Sequence, residues 1–237
     1  VADGVVRVRV AAPLRLFTRR GETAVPTDGS ASLVHLVESV GVPRSEVGGV
    51  RVDGRACPPD FRPGGGAVAD VDPVTRPQQV APGGFLLDVH LGALARRLRL
   101  LGLDTAYRND AADAALVTRA VAERRTLLTR DRGLLRRREL TAGAYVRGDD
   151  PDAQVADVLD RFRPPLRPWS RCPACNGPVR PVPTAAVWAV LPPGTRRSYV
   201  EFSRCADCAR VYWRGAHARR LDALVARFHG DPGHRAG

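Results

Sequence analysis

The stretch Phe85-Leu86-Leu87-Asp88-Val89-His90-Leu91-Gly92-Ala93-Leu94-Ala95-Arg96-Arg97-Leu98-Arg99-Leu100-Leu101-Gly102 changes its hydrophobic rhythm part-way through. Phe85 to Leu87 is a short apolar run, which suits a fully buried strand. From Leu91 the apolar residues Leu91, Leu94, Ala95, Leu98 and Leu101 recur at helical spacing, with Arg96, Arg97 and Arg99 expected mostly outward and Gly102 as the stop. A buried strand followed at once by an amphipathic helix is the first half of a βα unit, and the pattern then repeats. Thr105-Ala106-Tyr107-Arg108 reads as a strand, with a helix after Asp113 that carries Leu116, Val117, Ala120 and Val121. Thr126-Leu127-Leu128-Thr129 is a third strand, followed by a short helix. Ala144-Tyr145-Val146-Arg147 is a fourth, followed by a helix with Val155, Val158, Leu159 and Phe162. Alternating strands and helices predict a parallel α/β sheet over residues 85–163.

Proline and glycine punctuate the chain on both sides. Pro63-Gly64-Gly65-Gly66 and the run from Pro73 to Gly84 precede this region, and Pro164-Pro165-Leu166-Arg167-Pro168 follows it. Upstream, Val6, Val8 and Val10 alternate with Arg7 and Arg9 as a half-buried strand, and a second strand is expected around residues 17–25. Ser30 and Ser32 are candidate caps for a helix bearing Leu33, Val34, Leu36, Val37 and Val40, stopped by Gly41. Val50 to Arg55 carries an Asp53-Gly54 turn between strand residues. Strand, strand, helix and strands predict an α+β sheet of the ubiquitin-like β-grasp type over residues 1–80. Carrier proteins of that fold end in a free Gly-Gly, whereas Gly83-Gly84 here runs on into Phe85, so thiocarboxylate chemistry is not expected.

The third segment, residues 164–230, is a predicted zinc ribbon with a C-terminal helix. Cys172-Pro173-Ala174-Cys175 and Cys205-Ala206-Asp207-Cys208 are two CxxC knuckles. Each can present two thiolates to one ion, and together they complete a tetrahedral Zn²⁺ site with no open position, hence a structural one. Val187 to Val190 and Tyr199 to Phe202 are expected as the intervening strands. Cys57 stands alone and reads as an inert thiol.

Charge sharpens the division. The 237 residues carry 37 basic side chains against 25 acidic ones, a net of +12, and every basic residue is arginine. Residues 164–237 hold 12 arginines and 4 acids, a net of +8. Such an excess suits contact with a polyanion such as RNA. Arg196, Arg197, Arg210 and Arg214, interleaved with Trp213 and other aromatics, form a candidate RNA-binding face; Arg96, Arg97, Arg130 and Arg132 add to it from the α/β region. No apolar run approaches a membrane span and no leader opens the chain, so a cytoplasmic protein with no membrane partner is expected.

Each strand of the α/β region ends at an aspartate: Asp88, Asp110, Asp131, and the pair Asp149-Asp150, with Asp113 opening the helix after Asp110. Ligands of open α/β sheets sit at the carboxyl ends of strands, so these carboxylates are candidates for one site. An aspartate in such a turn also caps the next helix, and the two roles use the same residues. Clustered carboxylates repel unless a hard cation joins them, and oxygen-only ligation suits Mg²⁺ or Mn²⁺. With arginines nearby, the economical chemistry is metal-assisted attack of water on a phosphodiester. A chain without lysine has no P-loop, and no GxSxG elbow is present. A lone His90 near a helix start reads as structural.

The Phe85–Gly102 stretch, Leu127-Leu128-Thr129-Arg130-Asp131-Arg132 and the paired cysteines resemble the Mut-seven C-terminal RNase family, a PIN-like nuclease domain fused to a zinc ribbon. His35 to Pro43 and Val52 to Arg55 resemble the ubiquitin-like domain that often precedes it. The resemblance implies a metal-dependent, endonucleolytic PIN-type ribonuclease. It carries catalytic roles onto Asp88, Asp113, Asp131 and Asp149, with Asp110 and Asp150 as possible additional acids. The competing reading is a non-catalytic RNA-binding adaptor whose β-grasp segment docks a protein partner.

Overall fold

The computed structural model describes residues 4–215 together with Ala223 and Ala226. The chain divides into two compact units, Val1–Gln78 with Ala112–Val146, and Gln79–Ala111 with Arg147–Gly237.

In the first unit, strands β1 (Gly4–Val10), β2 (Glu22–Thr27), β3 (Val47–Val52), β4 (Arg55–Cys57) and β5 (Val68–Pro73) form one sheet in the order β2-β1-β5-β3-β4. β1 lies parallel to β5 and every other pairing is antiparallel. This is the β-grasp arrangement. The alternation in β1 works as read, with Val6, Val8 and Val10 buried and the arginines between them exposed. Helix α1 (Leu33–Ser39) lays Leu33, Leu36 and Val37 on that apolar face. Asp53 and Gly54 both take positive φ, 49° and 82°, closing the β3–β4 hairpin as the Asp-Gly pair predicts.

The expected strand at 17–25 is displaced. Residues Ala12–Phe17 form a 3₁₀ turn, opened by Pro13, that buries Leu14 and Phe17. Only from Glu22 does the chain pair with β1. Ser32 occupies the N-cap position of α1 without a side-chain bond, and Ser30 is held by Asp28 instead.

The same unit contains α3 (Asp113–Ala122), β8 (Thr126–Thr129), α4 (Arg132–Leu135) and β9 (Gly143–Tyr145), with β8 and β9 parallel. Every residue of β8 is buried, the terminal threonines Thr126 and Thr129 as well as Leu127 and Leu128. The β-grasp segment is bolted to this half. Arg132 donates to the carbonyls of Phe17 (2.9 Å) and Leu16 (2.7 Å) while its guanidinium lies 5.3 Å from the Phe17 ring centre. Phe17 meets Tyr145 edge-on at 5.0 Å, and the fully buried Glu46 accepts the Tyr145 N–H at 2.8 Å.

The second unit contains β6 (Phe85–Leu87) and β7 (Thr105–Tyr107), again parallel, with α2 (Gly92–Leu100) and α5 (Pro151–Phe162). Phe85 packs on Phe162 at 5.3 Å, and Arg97 pairs with Asp152 at 2.8 Å between the two helices. The unit also carries the ribbon, an antiparallel sheet of β10 (Val179–Val182), β11 (Phe202–Cys205) and β12 (Val211–Trp213), with α6 (Pro193–Ser198) in the long connection. The expected strand at Val187–Val190 is instead a 3₁₀ turn, Trp188–Val190, in which the Val190 and Leu191 N–H groups donate to the carbonyls of Val187 and Trp188 rather than to a neighbouring strand. Val187 and Leu191 are buried with Phe202 in a small core. Ala223 and Ala226 apart, the expected C-terminal helix lies outside the described residues, as do Arg219 and Arg220. None of the described helices is long and apolar enough to cross a membrane.

Candidate functional site

The four cysteines of the two knuckles come together. Their sulfur atoms all lie within 4.8 Å of one another, with Cys172 and Cys208 at 3.6 Å and Cys175 and Cys205 at 3.4 Å. Four thiolates 2.3 Å from one zinc would stand about 3.8 Å apart, so the quartet fits a tetrahedral ion with a small relaxation. The knuckles are built alike. In each, the residue after the second cysteine, Asn176 or Ala209, takes a left-handed φ (73° and 59°), and its N–H donates to the carbonyl of the first cysteine. The group can hold a metal such as zinc.

Its electrostatics ask for a cation. Burial pushes the Cys175 thiol up to about 12. Burial also opposes ionisation of Cys172, but hydrogen bonds from Tyr212 and from nearby backbone amides outweigh it and hold that thiol at about 6. The Tyr212 hydroxyl, 2.9 Å from the Cys172 sulfur, is itself pushed up by burial and by that sulfur, so it stays protonated and donates. Four sulfurs this close cannot all ionise without a cation among them.

The first knuckle is anchored to α2 and β7 through a residue expected on the outside. Arg99 is buried, and its guanidinium donates to the carbonyls of Thr105 (2.8 Å), Pro173 (3.1 Å) and Ala174 (3.0 Å). Helical spacing carried the signal, because position 99 falls four residues after the buried Ala95 and shares its face. Asn176 adds to the latch: its side-chain oxygen accepts the Thr105 N–H and its amide donates to Asp104, both at 3.0 Å. Asp104 also pairs with Arg171 at 2.8 Å. Gly102 completes the approach with φ of 81°, where any Cβ would collide with the Arg167 carbonyl.

The aspartates occupy distinct local settings. Asp88, 3% exposed, follows β6 and accepts the His90 N–H at 2.9 Å. Asp131 follows β8; its own N–H donates to the Thr129 hydroxyl (2.8 Å) and its carboxylate accepts the Gly133 N–H (2.6 Å). Asp150 caps α5 by accepting from Asp152 and Ala153, at 2.8 and 3.0 Å. Asp110 is gripped by two nitrogens of Arg108, whose hydrogen bond and charge hold its carboxyl below the usual range. Asp113 is the first residue of α3, and Asp149 precedes the Asp150 cap.

The candidate arginines also divide. Arg96, Arg130, Arg197, Arg210 and Arg214 are exposed. Arg132 is held by the β-grasp carbonyls described above. Arg196 donates to the Leu191 carbonyl (2.9 Å) and stacks 5.2 Å from the Trp188 ring centre. Trp213 packs against Tyr199, ring centres 6.3 Å apart, at the edge of the ribbon core.

Residues 83–225 match the family model described as the Mut7-C RNAse domain, and residues 4–79 match the one described as Mut7-C ubiquitin. The chain belongs to the Mut7-C RNAse domain family. Among solved structures, SAMP1 from Haloferax volcanii is similar at 17% identity over 32% of this chain and 100% of that chain, with a TM-score of 0.27. No curated protein matches. As a member of the Mut7-C family, the chain combines a nuclease-type domain with a ubiquitin-like segment.

Proposed function

We propose that this Mut7-C chain is a PIN-type, endonucleolytic ribonuclease of the cytoplasm in which Asp88, Asp113, Asp131 and Asp149 hold catalytic Mg²⁺ or Mn²⁺. The observation that carries the reading is the family match over residues 83–225, which includes the buried Asp88 at the end of an all-buried strand. Bound to carboxylates, such an ion lowers the pKa of its water and offsets charge on the departing oxygen. The chain's own part is to hold the oxygens still. The Asp131 carboxylate is held by the Gly133 N–H, and its backbone N–H by the Thr129 hydroxyl. Asp110 is occupied by Arg108, which favours Asp113 as the acid from that turn. Cys172, Cys175, Cys205 and Cys208 hold one structural Zn²⁺. RNA lies along the exposed Arg197, Arg210 and Arg214 with Trp213, while Arg196 and Arg132 act from fixed positions and Arg96, Arg97 and Arg130 extend the track. The β-grasp segment is the surface for a protein partner.

The test is cleavage of end-labelled RNA by the purified chain with Mn²⁺ or Mg²⁺. Chelator should stop it, and Asp88→Asn should lower the rate by about 10²-fold or more, with the thermal midpoint unchanged. Wild-type rates in that variant would remove the mechanism. One observation favours a second reading: Asp88, Asp131 and Asp150 each accept a backbone N–H at a helix start. As caps alone, they would leave an RNA-binding adaptor that never cleaves.

A further inference from the structure

Beside the metal knuckles the ribbon has an open cavity of about 80 Å³ whose walls include Trp169, Tyr212 and Trp213 together with Glu201, Ser203 and Arg214. We infer that this cavity binds one unstacked nucleobase of a single-stranded RNA, with a preference for guanine. The inference rests on the ribonuclease reading only for the identity of the polymer.

Trp169 is the first argument. It is not glycine, yet it takes φ of 66°, and its N–H is tied to the Leu100 carbonyl at 3.0 Å. Its indole Nε1 is shielded from water and has no acceptor among the described residues. Buried donors are nearly always satisfied, so an unmet one on a side chain that lines the cavity is unusual. A small shift of the indole toward the cavity would give it a base carbonyl as acceptor.

The walls have the chemistry of base recognition. Tyr212 has its hydroxyl committed to Cys172 at 2.9 Å, which fixes its ring and leaves the flat face as the available surface. Trp213 is braced from behind by Tyr199. The Arg214 guanidinium sits 5.8 Å from the Trp169 ring centre, placing positive charge beside an aromatic face where a phosphate would follow a stacked base. Ser203 pairs with Tyr212 across β11 and β12, so one hydroxyl lies next to one ring. A peptide side chain would meet aromatic faces here, but the net +8 of residues 164–237 selects a polyanion.

Glu201 sets the preference. A lone carboxylate in a basic segment repels phosphate, so its place in the wall calls for a donor edge. Guanine offers N1–H and the N2 amino group side by side to a carboxylate. Uracil offers a single N–H between two carbonyls that repel it.

The experiment uses the full zinc-loaded chain without added Mg²⁺ or Mn²⁺, so that binding is read apart from hydrolysis. Tryptophan fluorescence quenching is followed with a uridine heptanucleotide, the same oligomer with one central guanine, and inorganic polyphosphate. The guanine oligomer should bind about ten-fold more tightly than the all-uridine one, and polyphosphate should compete poorly. Trp169→Leu should weaken the guanine oligomer about ten-fold or more, and Trp169→Phe, which keeps a ring but has no N–H, should recover only part of that loss. Glu201→Gln changes an exposed side chain; it should keep the zinc and the thermal midpoint while erasing the guanine preference. An unchanged preference in Glu201→Gln, or polyphosphate competing as well as RNA, would overturn the proposal. Base-selective binding here with no cleavage once Mn²⁺ or Mg²⁺ is added would remove the nuclease reading and leave the pocket; metal-dependent cleavage without base selectivity would do the reverse.

Discussion

The β-grasp segment and the zinc ribbon are both small, and they hold together by different physics. The first buries twelve apolar residues, Val6 to Val71, between a five-stranded sheet and one helix. Among the described residues the second has three, Val187, Leu191 and Phe202, with Val182, Tyr199, Val211 and Trp213 partly buried against them under a three-stranded sheet. So small a cluster offsets little of the chain entropy of a segment this long, and a metal at the quartet, with the latch through Arg99, is expected to supply the difference. The first region is folded by the removal of apolar surface from water; the second has the ligands to be folded by coordination.

The sharpest break of that contrast is Cys205→Ser. With one ligand gone the quartet should lose its metal, and the ribbon should melt, because coordination energy and folding energy are the same quantity there. Metal content and near-ultraviolet dichroism would both fall. Full metal occupancy in the variant would show that the quartet is not the site. Leu36→Ala is the matching cut in the β-grasp core, at a side chain 1% exposed. It should cost about 2–5 kcal/mol, read as a lower urea midpoint, and leave metal content untouched. A loss of zinc in Leu36→Ala would mean that the two regions do not separate as argued.

Arg99→Met tests the latch. It keeps the apolar stem and removes the donors, leaving the carbonyls of Thr105, Pro173 and Ala174 without them. The expected cost is about 1–3 kcal/mol, with zinc released at lower chelator concentration than in the wild type. Unaltered zinc retention would place the ribbon's stability wholly in its own knuckles.

The two regions also differ in how far the sequence discloses them. The β-grasp and α/β elements announce themselves through periodicity: β6 begins and ends where its apolar run does, β8 frames Leu127-Leu128 with a threonine on each side, and Gly102 stops α2 as expected. Periodicity fails where the chain folds for another reason. Pro13 turns residues 12–17 into a 3₁₀ segment that buries Phe17, and no strand pattern signals it. Val187 to Val190 looks like a strand because its residues are apolar, yet its amides close local 3₁₀ turns that bury Val187 and Leu191 in the ribbon core. The cysteine quartet is legible because two knuckles at CxxC spacing have one geometric solution. The partners of Arg99 and Arg132 are not legible in the same way, since the knuckle carbonyls that Arg99 binds and the carbonyls of Leu16 and Phe17 that the exposed Arg132 binds are distant in sequence.

The smallest effect concerns the aspartates, where cap and ligand must be told apart. Asp150 is the clear cap: its carboxylate accepts from Ala153 and Asp152 at the start of α5, and these two bonds hold its carboxyl below the usual range. A carboxyl depressed in the folded state stabilises above its unfolded pKa of about 3.9, and that stabilisation fades as pH falls through the lower folded value. The thermal midpoint of Asp150→Ala should therefore lie slightly below that of the wild type at pH 7, and the gap should narrow below about pH 4. Asp150→Asn keeps an acceptor oxygen and should sit between the two. Neither change should alter RNA cleavage. Asp88 and Asp131 accept backbone N–H groups in the same manner, so Asp150 supplies the baseline for a carboxylate that only caps. If Asp88→Asn shifts the midpoint no more than Asp150→Asn yet abolishes cleavage, the first acid does chemistry that the cap does not. If the two variants are alike in both measurements, the carboxyl-end aspartates are caps throughout, and the affinity of this chain for RNA resides in its arginines and aromatic rings.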